Sequence, residues 1–214
     1  MTGGTNLSGA QRTVRRFWAD ENGASLVEFA LVVTLFLFFL LAIIDFGRIG
    51  HAWVGANKAT QLAARLAAVR PPACPGVPPT NLRGGGSTPA FGALCRAGPG
   101  VCATPAPAIC PGSALNPTAL EIFTAIRPLI PAGTTIGQMR YSYAFDPNLG
   151  FLGGPYVPMV TVEFTGVNFE FISQLGAFVT ALTGQSSALG RRPLNLPGMS
   201  VSLPGEDLNL GTEG

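Results

Sequence analysis

The chain has 214 residues, of which 47% are hydrophobic and only 11% charged, where an ordinary soluble domain carries about 25% charged residues. Its 13 basic and 11 acidic side chains leave a net charge of +2, too little for the concentrated basic footprint that nucleic acid requires. Disorder along the whole chain is excluded by the same apolar content, and the charge deficit points to a membrane.

A leader, residues 1–23, carries Arg12, Arg15 and Arg16. Residues 29–44 contain no charge, and extending back to Ala24 gives 21 residues with Glu28 as the only one. As a helix, 24–44 covers about 31 Å, close to the hydrocarbon thickness of a bilayer. The predicted transmembrane helix occupies residues 24–46. Arginines before the run, against Arg48 and Lys58 after it, favour a cytoplasmic N-terminus, so everything after Asp45 is expected outside.

A cleaved secretory signal fits poorly: the apolar core is too long, and Asp45, Phe46, Gly47 and Arg48 offer no small-residue cleavage site. An uncleaved signal anchor explains length and flanks but not Glu28, whose carboxylate costs up to about 3 kcal/mol at mid-membrane. Cleavage between Gly23 and Ala24 would create an α-ammonium one turn before Glu28, on the same helix face. In an assembly, Glu28 would instead accept the amine of a neighbouring subunit within apolar packing, where a charge has to be paired.

Gly23-Ala24-Ser25-Leu26-Val27-Glu28-Phe29-Ala30-Leu31, between a short Arg-containing leader and an apolar helix, is similar to the prepilin processing site, a Gly followed by four residues and then Glu. With Asp45-Phe46-Gly47-Arg48 and the stretch ending at Ala67-Ala68-Val69-Arg70, residues 15–70 resemble the TadE-like family, pseudopilins of the Tad (tight adherence) pilus machinery. The resemblance implies a prepilin peptidase, other pilin or pilus-assembly subunits and membrane lipid as partners. Thr34 departs from the family, which usually has a proline within the apolar run. Threonine removes the expected kink but can bond its hydroxyl to a carbonyl one turn earlier.

Beyond the membrane, Gly55, Ala59, Leu62, Leu66 and Val69 recur at helical spacing, predicting a stalk over 47–70 stopped by Pro71 and Pro72. The stripe packs on the chain's own head or, alternatively, on other subunits. His51, beside Trp53, reads as an interfacial side chain. Asp45-Phe46-Gly47 spells a kinase metal-binding signature without the motifs that accompany it, and reads as the membrane exit.

Residues 71–118 hold 11 prolines and 8 glycines, a composition that would leave the segment disordered by itself. They also hold all four cysteines, Cys74, Cys95, Cys102 and Cys110. An even count outside the cytoplasm predicts two disulfides among three possible pairings. Zinc is disfavoured by the wide gaps and the lack of a nearby histidine. Gly84-Gly85-Gly86-Ser87 lacks the ending of a phosphate loop and reads as a flexible turn. The expectation is a stapled surface insert that contributes recognition.

In the head, 119–214, Leu120, Phe123 and Ile126 suggest a helix stopped at Pro128. Met139, Tyr141, Tyr143 and Phe145 alternate as on a strand, as do Val160, Val162 and Phe164. A bulge or turn at Gly166 shifts the phase before Val167, Phe169 and Phe171. Ile172, Leu175, Phe178 and Leu182 return to helical spacing, and Met199, Val201 and Leu203 suggest a last strand. Arg127-Pro128-Leu129-Ile130-Pro131, Tyr141-Ser142-Tyr143, Val160-Thr161-Val162 and Leu203-Pro204-Gly205-Glu206-Asp207 also resemble the TadE-like C-terminal part. Glu163 and Glu170 read as solvated rather than as an acid/base pair, and the aromatics as core rather than a stacking platform.

The fold class expected is α+β: a long N-terminal helix, half transmembrane and half stalk, followed by a small extracytoplasmic head with an antiparallel sheet. The function implied by the resemblance is that of a minor pilin or pseudopilin in a bacterial inner membrane. It would be cut after Gly23, with Ala24 as the new terminus and Glu28 setting register, and would support surface attachment. The other reading is an uncleaved bitopic scaffold with a recognition head. Enzymatic activity, a metal, a cofactor and nucleic acid are not expected.

Overall fold

Helix α1 (Glu21–Val69) runs unbroken for 49 residues and ends just before Pro71 and Pro72, which cannot supply the donors of a further turn. The computed structural model describes residues 21–85, 88–170, 194–206 and 208. The leader arginines, Gly86, Ser87, Phe171, the helical spacing at Ile172, Leu175, Phe178 and Leu182, and Asp207 lie outside the described residues.

The antiparallel sheet has the order β1-β2-β3-β6, with β1 (Ala108–Pro111), β2 (Met139–Ala144), β3 (Met159–Phe164) and β6 (Met199–Pro204). A second pair joins β4 (Asn168–Phe169) to β5 (Leu194–Asn195). Alternation within the strands becomes rows across the sheet: Tyr141 faces Val162 and Val162 faces Val201, while Tyr143 faces Val160 and Val160 faces Leu203. Met139, Phe164 and Met199 form a third row. These rows join the core against α1 and α2 (Pro117–Ile126). The opposite face carries Arg140 opposite Glu163, and the Thr161 and Ser202 hydroxyls are bonded at 2.7 Å. One face is therefore apolar and packed and the other polar, the pattern of a sheet covered on one side.

Against the sheet, α1 presents Ala56, Ala59, Ala63, Ala64 and Ala67, all buried. This corrects part of the expected stripe: Ala59 is buried and Leu66 packs against the core, but Leu62 and Val69 are exposed. Almost every position from Ala52 to Val69 that is not charged is small or apolar, so several stripes satisfy helical spacing. The sheet selects the alanines because larger side chains would hold the helix away. The bulk of the apolar filling comes from the other side, from Tyr141, Tyr143, Phe164 and Ile122, each contributing about 1.5–3 kcal/mol on burial. In α2 the expected Ile126 is buried and Phe123 packs against the core, while Leu120 is exposed and Ala119 and Ile122 fill the buried positions beside them.

The C-terminal end of α1 and the N-terminal end of α2 are tied down. The Glu206 N–H donates to the Ala68 carbonyl at 2.8 Å, satisfying one of the carbonyls a helix end leaves open. Asn116 caps α2, accepting from the Ala119 N–H at 3.0 Å, and its amide donates to the Ala73 carbonyl just beyond α1. Gly166, at φ +68°, makes the turn between β3 and β4 that the slip in alternation required.

The Pro/Gly-rich segment is not a separate loop. Its strand β1 is an edge of the main sheet, and a second small core gathers Cys95, Val101, Cys102 and Leu152. Backbone bonds join it to the β2–β3 connection, among them Gly92 N–H to the Leu152 carbonyl and Leu152 N–H to the Ala93 carbonyl. Disulfides link Cys74 to Cys110 and Cys95 to Cys102. The first fastens the chain leaving α1 to β1, and the second closes a short turn beneath Leu152.

Candidate functional site

The predicted processing residues sit on the bare end of α1. Gly23 and Ala24 are both helical and both exposed. Glu28 follows one turn later, also exposed, on the face that an amine at Ala24 would share.

From Leu26 to Phe46 the large apolar side chains point outward all around the helix, with Leu26, Phe29, Leu31, Ile43 and Phe46 among the most exposed. Its most apolar 18-residue stretch has no buried share, and the helix is long enough to cross a membrane. A helix apolar on every side needs an apolar surrounding. Within this half, the Thr34 hydroxyl donates to the Ala30 carbonyl at 2.7 Å, the local bond expected of threonine in place of the family's proline.

Surroundings change at Asp45. Its side chain is only 2% exposed and lies 3.1 Å from the Arg48 guanidinium, which also stands 5.2 Å from the Phe169 ring centroid. The head thus reaches down α1 as far as the first charged residue after the apolar run. Next to this contact is a cavity of about 390 Å³ lined by Arg48, His51, Ile130, Pro131, Phe169 and Glu170 among others. Sequence reasoning singled out Asp45, His51 and Glu170 separately and missed that His51 and Glu170 line one cavity, with Asp45 joined to it through Arg48. The available signal was the helical spacing of Asp45, Arg48 and His51 on one face of α1.

Elsewhere the expected site residues are dispersed. Glu163 lies on the open face of the sheet and Glu170 at the cavity. Tyr141, Tyr143 and Phe169 are buried in the core rather than offered for stacking. Burial pushes the Tyr141 hydroxyl well above its ordinary pKa, helped by Tyr143 beside it. Burial also raises that of Tyr143, although its oxygen accepts the Ala73 N–H at 3.0 Å. Among the described residues no group of three or more His, Cys, Asp or Glu side chains is placed to hold a metal ion.

No curated protein and no solved structure matches the chain. Residues 23–65, from the candidate processing junction through the apolar run and most of the alanine face, match the family model of TadE-like protein, the family that residues 15–70 resemble.

Proposed function

We propose that this chain is a membrane-anchored minor pilin or pseudopilin of Tad-type pilus assembly, cut by a prepilin peptidase after Gly23. The observation that carries the reading is the division of α1: an apolar half bare on all sides up to Ile44, and a half from Asp45 onward packed on an α+β head. A subunit that is held in a bilayer and then transferred to a fibre needs such a helix. Its bare half can exchange lipid for the same half of other subunits while the head stays folded. The match to TadE-like protein starts at Gly23, the residue before the proposed cut.

Glu28 then has a task. After cleavage its carboxylate is one turn from the Ala24 ammonium, and in the fibre it accepts the amine of a neighbour, which fixes the stagger between helices. The leader stays on the cytoplasmic face of a bacterial inner membrane and the head lies outside, where disulfides persist. The covered alanine face is engaged by the chain's own sheet, which leaves the bare half of α1 as the part available to other subunits.

The test is the N-terminal residue and intact mass of the membrane-extracted protein, expressed with and without a matching prepilin peptidase. An N-terminus at Ala24 only when the peptidase is present is the expected result. A leader retained in both samples would instead make the chain an uncleaved bitopic scaffold and remove the explanation of Glu28.

A further inference from the structure

The cavity beside Asp45 combines features that the assembly role does not use. It is lined by Arg48 and His51, one turn apart on α1, by Glu170 directly after β4, and by the Phe169 ring and the Ile130-Pro131 turn. Glu170 is exposed and forms no ion pair among the described residues. Its depth is set by the helix. Arg48 and His51 follow the last apolar residue of the run, Ile44, by four and seven positions, or about 6 and 10 Å along the axis. The headgroup layer on each side of the hydrocarbon is about 5–8 Å thick. If 24–44 spans the bilayer, the cavity opens at the level of the headgroups and just above.

Charge narrows the occupant. Asp45 already faces Arg48, and Glu170 adds a second carboxylate, so a purely anionic headgroup would meet two carboxylates against one guanidinium. A dipolar headgroup suits the lining: its phosphate oxygens accept from the Arg48 guanidinium and the His51 ring N–H, and an ammonium donates to the Glu170 carboxylate. A primary ammonium has three donors for this, whereas a trimethylated one has none. A cavity of about 390 Å³ lies within the usual range for small-molecule sites.

We propose that this cavity seats the headgroup of a bilayer phospholipid bearing a phosphate and a primary ammonium, the chemistry of phosphatidylethanolamine. The phosphate lies toward Arg48 and His51 and the ammonium toward Glu170. A lipid held there fixes the height and rotation of the head on the membrane while the subunit waits. The inference rests on the membrane-spanning reading of 24–44 but not on cleavage after Gly23.

The experiment places the full chain in nanodiscs containing equal parts of phosphatidylethanolamine, phosphatidylcholine and phosphatidylglycerol. The protein is then released in mild detergent and the retained lipids are counted by native mass spectrometry. Phosphatidylethanolamine is expected to be retained about fivefold over each of the others, as one exposed ion pair to Glu170 allows. The preference should disappear in Glu170→Gln, and His51→Ala should reduce retention of all three lipids. Equal retention by an inserted wild-type chain, or an unchanged preference in Glu170→Gln, would overturn the headgroup site and leave the spanning helix intact. Failure to insert would overturn both. Retention of soluble glycerophosphoethanolamine as strongly as the lipid would assign the site to a free phosphoester and overturn the lipid assignment.

Discussion

Two residues of α1 show how local chemistry and packing divide the helix between them. Glu28 is unfavourable in lipid and is retained beside a candidate cleavage junction, so its substitution separates insertion from assembly. Glu28→Ala should insert at least as well as wild type, gaining up to about 3 kcal/mol of transfer free energy. It should nevertheless lower fibre assembly sharply, because a neighbour's amine is left unpaired in apolar packing. Counting pili and carbonate-resistant membrane protein in the same cells checks both halves, and normal piliation would refute the register role. Gly55 is constrained by contact instead: a Cβ there would stand 2.6 Å from the Leu129 carbonyl oxygen. Gly55→Ala should therefore cost about 1–3 kcal/mol despite the better helix propensity of alanine. Gly50→Ala, where a Cβ meets nothing within 4 Å, should gain up to about 1 kcal/mol. Thermal unfolding in detergent reads the opposite signs.

At the level of elements, the packed half of α1 is secured at its C-terminal end by three ties: Glu206 to Ala68, Asn116 to Ala73, and the disulfide from Cys74 to Cys110. The two disulfides close chain lengths of 36 and 7 residues, for which loop entropy predicts stabilisation of about 4 and about 2 kcal/mol. Replacing Cys74 and Cys110 by serine should lower the denaturant midpoint by clearly more than replacing Cys95 and Cys102. Equal shifts would mean that strain or residual structure outweighs the loop term. Asn116→Ala removes a helix cap and the bond to Ala73 together, so a loss of about 1–2 kcal/mol is expected in the same denaturation assay.

For the molecule as a whole, the sheet and helices form one core around Tyr141 and Tyr143, and this sets its behaviour in alkali. The folded state holds both phenols protonated past the pH, about 10, at which an unfolded tyrosine ionises. Between those values the unfolded chain binds fewer protons than the folded one. Stability is therefore full below about pH 10 and falls as pH rises beyond it. Phenolate absorbance followed with circular dichroism should show Tyr141 and Tyr143 ionising only as the sheet is lost. A phenolate transition near pH 10 for both in a chain still folded would contradict their burial.

Much of this architecture follows from the order of side chains. The apolar run, the helix stop before Pro71, the alternation at Met139-Tyr141-Tyr143 and at Val160-Val162-Phe164, and the slip at Gly166 are local patterns, and each element formed where its pattern lies. Glu28 is conspicuous for the same reason, as a single charge in an apolar segment. Tertiary structure decided what local pattern leaves degenerate. In 52–69 small and apolar residues occupy several helix faces, and only the approach of the sheet selected Ala63 and Ala67 over Leu62 and Val69 for burial. Strand β1 lies in a Pro/Gly-rich stretch whose strand character comes from pairing with β2. The Cys74–Cys110 disulfide and the meeting of Arg48 and His51 with Glu170 join positions far apart in the chain. Spacing along a chain reports neighbours within one element, whereas contacts between elements depend on how the whole core closes.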